Sequence, residues 1–308
     1  MRKIFTFIVV AAIILILIFI AIKDNFNLNK IITDIEKQND LTITLNNESK
    51  WNYYPLIKLN NNITIKDNAN FFIINNADIN ISKNYWPTSP IKINLTSPSI
   101  NVEGIQLRNA IIKSSYKNKN ITFEKISSNL IEGNINAQGK INIENEIPFD
   151  IHGSFKNISL NLLMNQAKIA TWDRVNIKIS SPNFNLSGTL KKNKGFNKNL
   201  KGNVPINGSI FFVSTEEERF GAALLSLLVD KLPELSSLSN SVSFLLTKFS
   251  NIPSSVHGTL IINEGLISTQ DMLIENNQGR ASLTATLNIE TDIINGKINF
   301  YEDDETYL

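Results

Sequence analysis

The chain has 308 residues, with 30 basic and 28 acidic side chains and a formal net charge of +2. That length suits one large domain or two ordinary ones, and the balanced charge lacks the basic footprint of a nucleic-acid binder. Cysteine is absent, which excludes disulfides, thiolate metal sites and iron–sulfur clusters, and only His152 and His257 are available for histidine chemistry. The unusual counts are 48 Ile and 45 Asn, about three residues in ten. Isoleucine favours strands and asparagine favours turns or a hydrated sheet face, so their placement along the chain matters more than their number.

After a short stub at 1–3, Ile4 to Ile22 is an unbroken run of 19 residues whose only polar member is Thr6. A helix of that length spans roughly the 30 Å hydrocarbon core of a bilayer, with Ile4, Phe7, Ile14, Leu17, Phe19 and Ile22 among its anchoring side chains. The run ends Phe19-Ile20-Ala21-Ile22-Lys23-Asp24 without a small-x-small cleavage pattern, so it reads as an uncleaved signal anchor. Arg2 and Lys3 precede it, whereas Lys23 is offset by Asp24. The positive-inside rule then puts the N-terminus in the cytoplasm and the rest of the chain on the far side of a single-pass anchor. Beyond Arg2 and Lys3, 28 basic residues face 28 acidic ones, so the exported part is formally neutral.

The exported part reads as amphipathic strands. From Asn134 to Glu144, Ile135, Ala137, Gly139, Ile141 and Ile143 alternate with polar residues, and from Arg280 to Glu290 the same holds for Ala281, Leu283, Ala285, Leu287 and Ile289. A strict period of two over such lengths fits no helix. Shorter copies occur at Leu41–Leu45, Ile63–Ile65, Ala77–Ile81, Ile91–Leu95, Ile121–Phe123, Val175–Ile179 and Phe184–Leu190. Asn60-Asn61-Asn62, Asn75-Asn76, Ser97-Pro98 and Asn276-Asn277 read as the turns between them. The expected architecture is an antiparallel meander of about fifteen strands, each with one apolar and one hydrated face. Gly followed by Ser or Thr and an apolar residue recurs at Gly153, Gly188, Gly208 and Gly258, which suits a sheet that must curl.

Helical signals are few. Lys30 to Lys37 and Ser159 to Lys168 read as short helices. Glu216 to Lys231 reads as a longer one, opened by the Thr215/Glu218 capping pair and stopped by Pro233, with a second apolar stretch from Leu235 to Phe249. The chain therefore divides into the stub at 1–3, the anchor at 4–22, a β region at 23–215, an amphipathic helical insert at 216–249, a second β region at 250–300 and an acidic tail at 301–308. The insert either covers one end of the sheet or docks elsewhere.

No constellation for catalysis appears. His152 and His257 each precede a strand glycine, Asp173 and Arg174 read as a turn or surface pair, and carboxylates cluster only at Glu216–Glu218 and in the tail. There is no phosphate loop, nucleophile elbow or zinc spacing, so neither an enzyme nor a cofactor or metal site is expected.

The order of these features resembles the AsmA-like proteins of diderm bacteria, in a short form. The likeness rests on three stretches. The first is the anchor, the Leu41-Thr42-Ile43-Thr44-Leu45 strand and Trp51-Asn52-Tyr53-Tyr54-Pro55. The second runs from Ile121-Thr122-Phe123 through Gly133-Asn134-Ile135-Asn136-Ala137 to Phe149-Asp150-Ile151-His152-Gly153. The third and most specific is Gly258 to Thr269 with Asp271-Met272-Leu273-Ile274, followed by the strand at 280–290 and Gly296-Lys297-Ile298.

The resemblance implies a mainly β fold: an N-terminal transmembrane helix, then a long antiparallel sheet curled into a trough. It implies the bacterial inner (plasma) membrane with the bulk periplasmic, and a part in outer-membrane biogenesis or homeostasis through phospholipid or another acyl-chain lipid. The expected groove positions are Ile121, Phe123, Ile135, Ala137, Ile141, Ile143, Leu283, Ala285, Leu287 and Ile289. Fifteen strands at roughly 4.8 Å each reach about 70 Å, so a partner that continues the sheet, an outer-membrane or envelope protein, is one expectation. The alternative is an assembly scaffold for outer-membrane proteins whose trough is filled by its own side chains.

Overall fold

The computed structural model describes residues 36, 41–47, 50–52, 57–67, 72–84, 88–102, 104–143, 147–166, 174–190, 199–216, 245–288, 291 and 293–301. The strands are β1 (Leu41–Leu45), β2 (Lys50–Asn52), β3 (Ile57–Asp67), β4 (Phe72–Lys83), β5 (Ile91–Val102), β6 (Ile105–Lys117), β7 (Asn120–Leu130) and β8 (Gly133–Asn142). They continue as β9 (Ile147–Ser159), β10 (Val175–Leu190), β11 (Lys201–Phe212), β12 (Ser254–Asn263), β13 (Leu266–Asn276), β14 (Gly279–Asn288) and β15 (Ile294–Tyr301). One helix, α1 (Leu160–Gln166), and one π-helical turn, Leu245–Phe249, complete the described elements.

All fifteen strands belong to a single antiparallel sheet in the order β1-β3-β4 and then consecutively to β15, with the short β2 paired to β3. The order is that of one uncurled sheet: its β1 and β15 edges do not pair, so the curled form expected from the sequence is no part of the strand order. No helix among the described residues is long and apolar enough to cross a membrane. The expected anchor at 4–22, the tail at 302–308 and residues 217–244 of the expected insert lie outside the described residues.

The period-two segments became strands as their alternation dictates. Within β5 the side chains at 91, 93, 95 and 97 are buried while those at 92, 94, 96 and 98 are exposed. Three of the expected turns are instead strand interior. Asn60-Asn61-Asn62 lies within β3, Asn75-Asn76 within β4 and Ser97-Pro98 within β5. The β4–β5 ladder lapses between the pairs Asn75↔Ser99 and Asp78↔Thr96, then resumes in the same register. Pro98, which has no N–H to give, falls in that lapse, and Asn76 there takes a positive φ of 46°. The Ser97 hydroxyl lies 2.8 and 2.9 Å from the carbonyls of Asn75 and Ser99, between which its one proton is shared, and bridges the gap. The segments read as separate strands at Val175–Ile179 and Phe184–Leu190 are one strand, β10, joined through a bulge around Ser181.

The expected insert interrupts a hairpin. β11 and β12 are neighbours, from Lys201↔Asn263 to Ile210↔Ser254. Both ends of the intervening segment are tied at one place. The Ser214 and Ser250 hydroxyls bond each other, and the Asn251 amide donates to the Ser214 carbonyl at 3.0 Å and accepts from the Ser214 N–H at 3.2 Å. The Asn276 side chain secures the π-turn by donating to the Lys248 carbonyl at 2.8 Å.

Most of the buried apolar residues form one cluster from Ile43 in β1 to Ile267 in β13, and a smaller one of Ile206, Val256 and Met272. Each buried Ile contributes about 1.5–3 kcal/mol through removal from water. Neighbouring strands come unusually close at several glycines of this face, Gly139 and Gly153 among them. A Cβ on Gly139 would stand 2.3 Å from the Asp150 carbonyl oxygen, and one on Gly153 would stand 2.2 Å from that of Asn136. Since the obstructing atoms are backbone, Gly153→Val is expected to destabilise the sheet by about 2–4 kcal/mol in urea titrations. Gln138→Val, on the exposed face of β8, is expected to stay within about 0.5 kcal/mol of the parent.

Candidate functional site

Residues paired across an antiparallel ladder project to the same side, so the registers define which side chains share a row. One row runs Ile81, Ile93, Ser114, Phe123, Gly139, Ile151, Leu186, Gly202, Ile262, Ile267 and Leu287, one residue from each strand between β4 and β14. Every member is apolar or small, and none is charged. The row one residue along faces the other way and reads Ser82, Lys92, Ser115, Thr122, Lys140, Asp150, Ser187, Lys201, Asn263, Leu266 and Asn288. The sheet thus carries an apolar face and a mostly hydrated face in register across eleven strands.

The groove positions expected from the sequence fall into two groups on that apolar face. Ile121 pairs with Ile141, Ile135 with Phe155 and Ala137 with Gly153. Leu283 pairs with Met272, Ala285 with Thr269 and Leu287 with Ile267. Phe123 and Leu287 lie in the same row, which joins the two groups across the sheet. Ile289 and the anchor positions Ile4, Phe7, Ile14, Leu17, Phe19 and Ile22 lie outside the described residues.

Only the first group has fully enclosed members. Ile121, Phe123 and Ile141 are each 2 % exposed, while Ile135, Ala137 and Ile143 are half-buried. Leu283, Ala285 and Leu287 are also half-buried, and Ile298, the β15 partner of Leu283, is 51 % exposed. The apolar face is therefore a filled core around β7 and β8 and becomes accessible toward β14 and β15. Its most enclosed members, such as Ile65, Ile74, Ile93 and Leu95, were missed as site positions. Their alternation was visible, but which rows they complete depends on registers that the sequence does not display.

The edges differ too. On β1 the Ile43 N–H donates to Glu36 Oε1 at 2.8 Å, so a side chain caps the ladder there. β15 pairs with β14 over eight positions without a register shift and ends the sheet.

On the hydrated face, His257 Nδ1 lies 3.4 Å from Asn207 Oδ1, and its Nε2 lies 3.8 Å from Glu275 Oε1. His152 is exposed on β9. Arg174 is exposed, and Asp173 lies outside the described residues. Among the described residues, no group of three or more His, Asp or Glu side chains could hold a metal ion. No protein-family model matches the chain, and no curated protein or solved structure matches it either.

One carboxylate supports the accessible end of the apolar face. The β12–β13 ladder shifts register between His257 and Ile261, and Asp271 fills the gap by accepting the Thr259 N–H at 2.8 Å and the Thr269 hydroxyl at 3.3 Å. Desolvation opposes ionisation of this carboxyl, but the hydrogen bonds from Thr259 and Thr269 outweigh it and hold the pKa below the usual 3.8. A depressed carboxylate stabilises the fold above its unfolded pKa, and the contribution is lost as pH falls through the folded pKa. Asp271→Asn is therefore expected to lower the urea midpoint at pH 7, and the deficit should shrink as the titration is repeated at pH values below 3.8.

Proposed function

We propose that this chain is an inner-membrane-anchored periplasmic protein of outer-membrane biogenesis or homeostasis that holds or passes phospholipid along its apolar β face without covalent chemistry. The carrying observation is the uncharged apolar row that crosses eleven strands opposite a hydrated one. Acyl chains need apolar contact at about 25 cal/mol per Å² and no directed chemistry, which is what such a face offers. In this reading lipid meets the protein at β13–β15, where Leu283, Ala285 and Leu287 are half-buried and Ile298 is open. The positions around Ile121 and Ile141 act as the packed base of the groove.

A lengthwise bend of the sheet belongs to the same proposal. It is supported by register shifts in the β3–β4, β6–β7, β7–β8, β9–β10, β12–β13 and β13–β14 ladders and by the close backbone approach at Gly139 and Gly153. Bulges and glycine kinks are the devices by which sheets curve. A bend would let the face cover itself, which fits side chains as enclosed as Ile93, at 1 % exposure.

A second reading, an assembly scaffold for outer-membrane proteins with a self-filled face, is favoured by that same enclosure and by the bulge-free β15 edge. An edge strand that no other described strand pairs with on its outer side can accept a strand from another protein. The readings separate on lipid. Under the first, protein purified from membranes co-extracts phospholipid detectable by mass spectrometry. Leu283→Asp and Leu287→Asp are then expected to lower it by roughly tenfold, since a charge in an acyl site costs at least about 1.4 kcal/mol. Ile141→Asp serves as the folding control, and it is expected to destabilise by more than about 4 kcal/mol. Lipid-free wild-type protein would leave the scaffold reading, with cross-linking to a protein partner as its positive sign.

A further inference from the structure

The hydrated face is hollowed where β3, β4 and β5 meet. An open depression of about 400 Å³ lies there, and six of the nine described residues that line it are asparagines. Two registers arrange the principal ones as a small grid: Asn60↔Asn80↔Asn94 forms one row and Asn62↔Asp78↔Thr96 the next. Sheet geometry spaces such groups at roughly 4.8 Å across the strands and 7 Å along them.

The two rows are in different hydrogen-bonding states. Asn62 is locked in place. Its amide donates to Asp78 Oδ1 at 2.7 Å, and its own oxygen accepts from Asn46 at 2.7 Å. Asn46 is held in turn by donating to Thr64 Oγ1 at 3.0 Å. Asn60, Asn80 and Asn94 make no side-chain hydrogen bond with the protein among the described residues. Asn60 and Asn80 are half-buried, so these amides face the hollow with their donors and acceptors unused. A preorganised row therefore stands beside an unsatisfied one.

The lining decides the ligand class. Among the described lining residues none is cationic, although Lys50 pairs with Asn60 at the β2 end of the row, so the grid itself gives a phosphate or carboxylate group no counter-charge. Asp78 is the one carboxylate among the described lining residues, and one carboxylate supplies too little charge for a divalent-cation site. Ile79 is the only apolar residue among the described lining residues and is itself buried, so an acyl chain meets no open apolar side chain of theirs. What remains is a neutral ligand that gives and takes hydrogen bonds at regular intervals. Each amide offers two donors beside one acceptor, matching vicinal hydroxyls. We propose that this depression binds a neutral carbohydrate, a short saccharide segment lying across β3–β5 with its hydroxyls on the Asn60–Asn80–Asn94 row.

Saturation-transfer NMR on the full chain tests this, in a detergent without a sugar headgroup and with maltotetraose and chitotetraose as millimolar probes. Transfer to at least one probe is expected. Asn80→Ala and Asn94→Ala should each weaken it about three- to tenfold, the loss of one or two neutral hydrogen bonds. Asn136→Ala, on the same face of β8 but outside the hollow, should leave it unchanged. Urea midpoints identify any variant whose fold has suffered, and Asn94→Lys, at an exposed position, serves as a second blocking variant. The proposal is overturned if neither saccharide receives transfer from the wild type, or if transfer survives the Asn80 and Asn94 substitutions. A response to calcium chloride or inorganic phosphate at these residues, with none to saccharide, overturns the ligand class.

Discussion

The structure depends on keeping one face of a fifteen-strand sheet out of water. Alternation along a strand sorts side chains to two faces, but it does so one strand at a time. The faces persist only because successive ladders keep the apolar sets aligned, and a slip of one residue at any strand would exchange its two faces from there onward. The register shifts are consistent with this. Between Phe123 and Ile126 the ladder jumps, yet Phe123 opposite Gly139 and Ile126 opposite Ala137 both stay on the apolar side. Bulges absorb a residue without exchanging the faces.

Asparagine serves this arrangement in two ways. On the hydrated side it forms cross-strand pairs, as Asn142 does with Asn120 at 3.0 Å. At irregularities it supplies backbone. Asn76, Asn109, Asn118, Asn157 and Asn251 all take positive φ, a conformation that most side chains resist and asparagine tolerates. Asn109 falls within the β6–β7 shift, and Asn157 adjoins the shifted β9–β10 pairs. The abundance of asparagine thus divides between wetting one face and easing the bends in the ladder.

This double role explains what could be read from the sequence. The alternation at Ile135–Ile143 and Ala281–Leu287 announced β8 and β14 and their apolar sides, and Ser159–Lys168 announced the helix found at Leu160–Gln166. Asn75-Asn76 and Ser97-Pro98 carried turn chemistry but sit inside strands, because cross-strand pairs on both sides hold the chain extended through them. Among the groove candidates, the sidedness of Ile121, Ile141 and Leu283 was legible. Their unequal exposure was not, since it depends on which strands lie alongside. The hollow between β3 and β5 was hidden for the same reason: Asn60, Asn80 and Asn94 are far apart in sequence and meet only through register.

From β4 onward each strand pairs only with the strands before and after it in sequence. Apart from the β11–β12 ladder, which closes across residues 213–253, most ladders join strands only a few residues apart, so the sheet can grow there as a zipper from its newest edge, with little loop-closure entropy at each step. The same topology makes length an adjustable quantity. Adding or deleting one hairpin would change the reach of both faces by about 10 Å while leaving every other pairing intact. It would also return the chain to the same end of the sheet, which a single added strand would not. A molecule built this way can be lengthened in even steps without redesigning its interior.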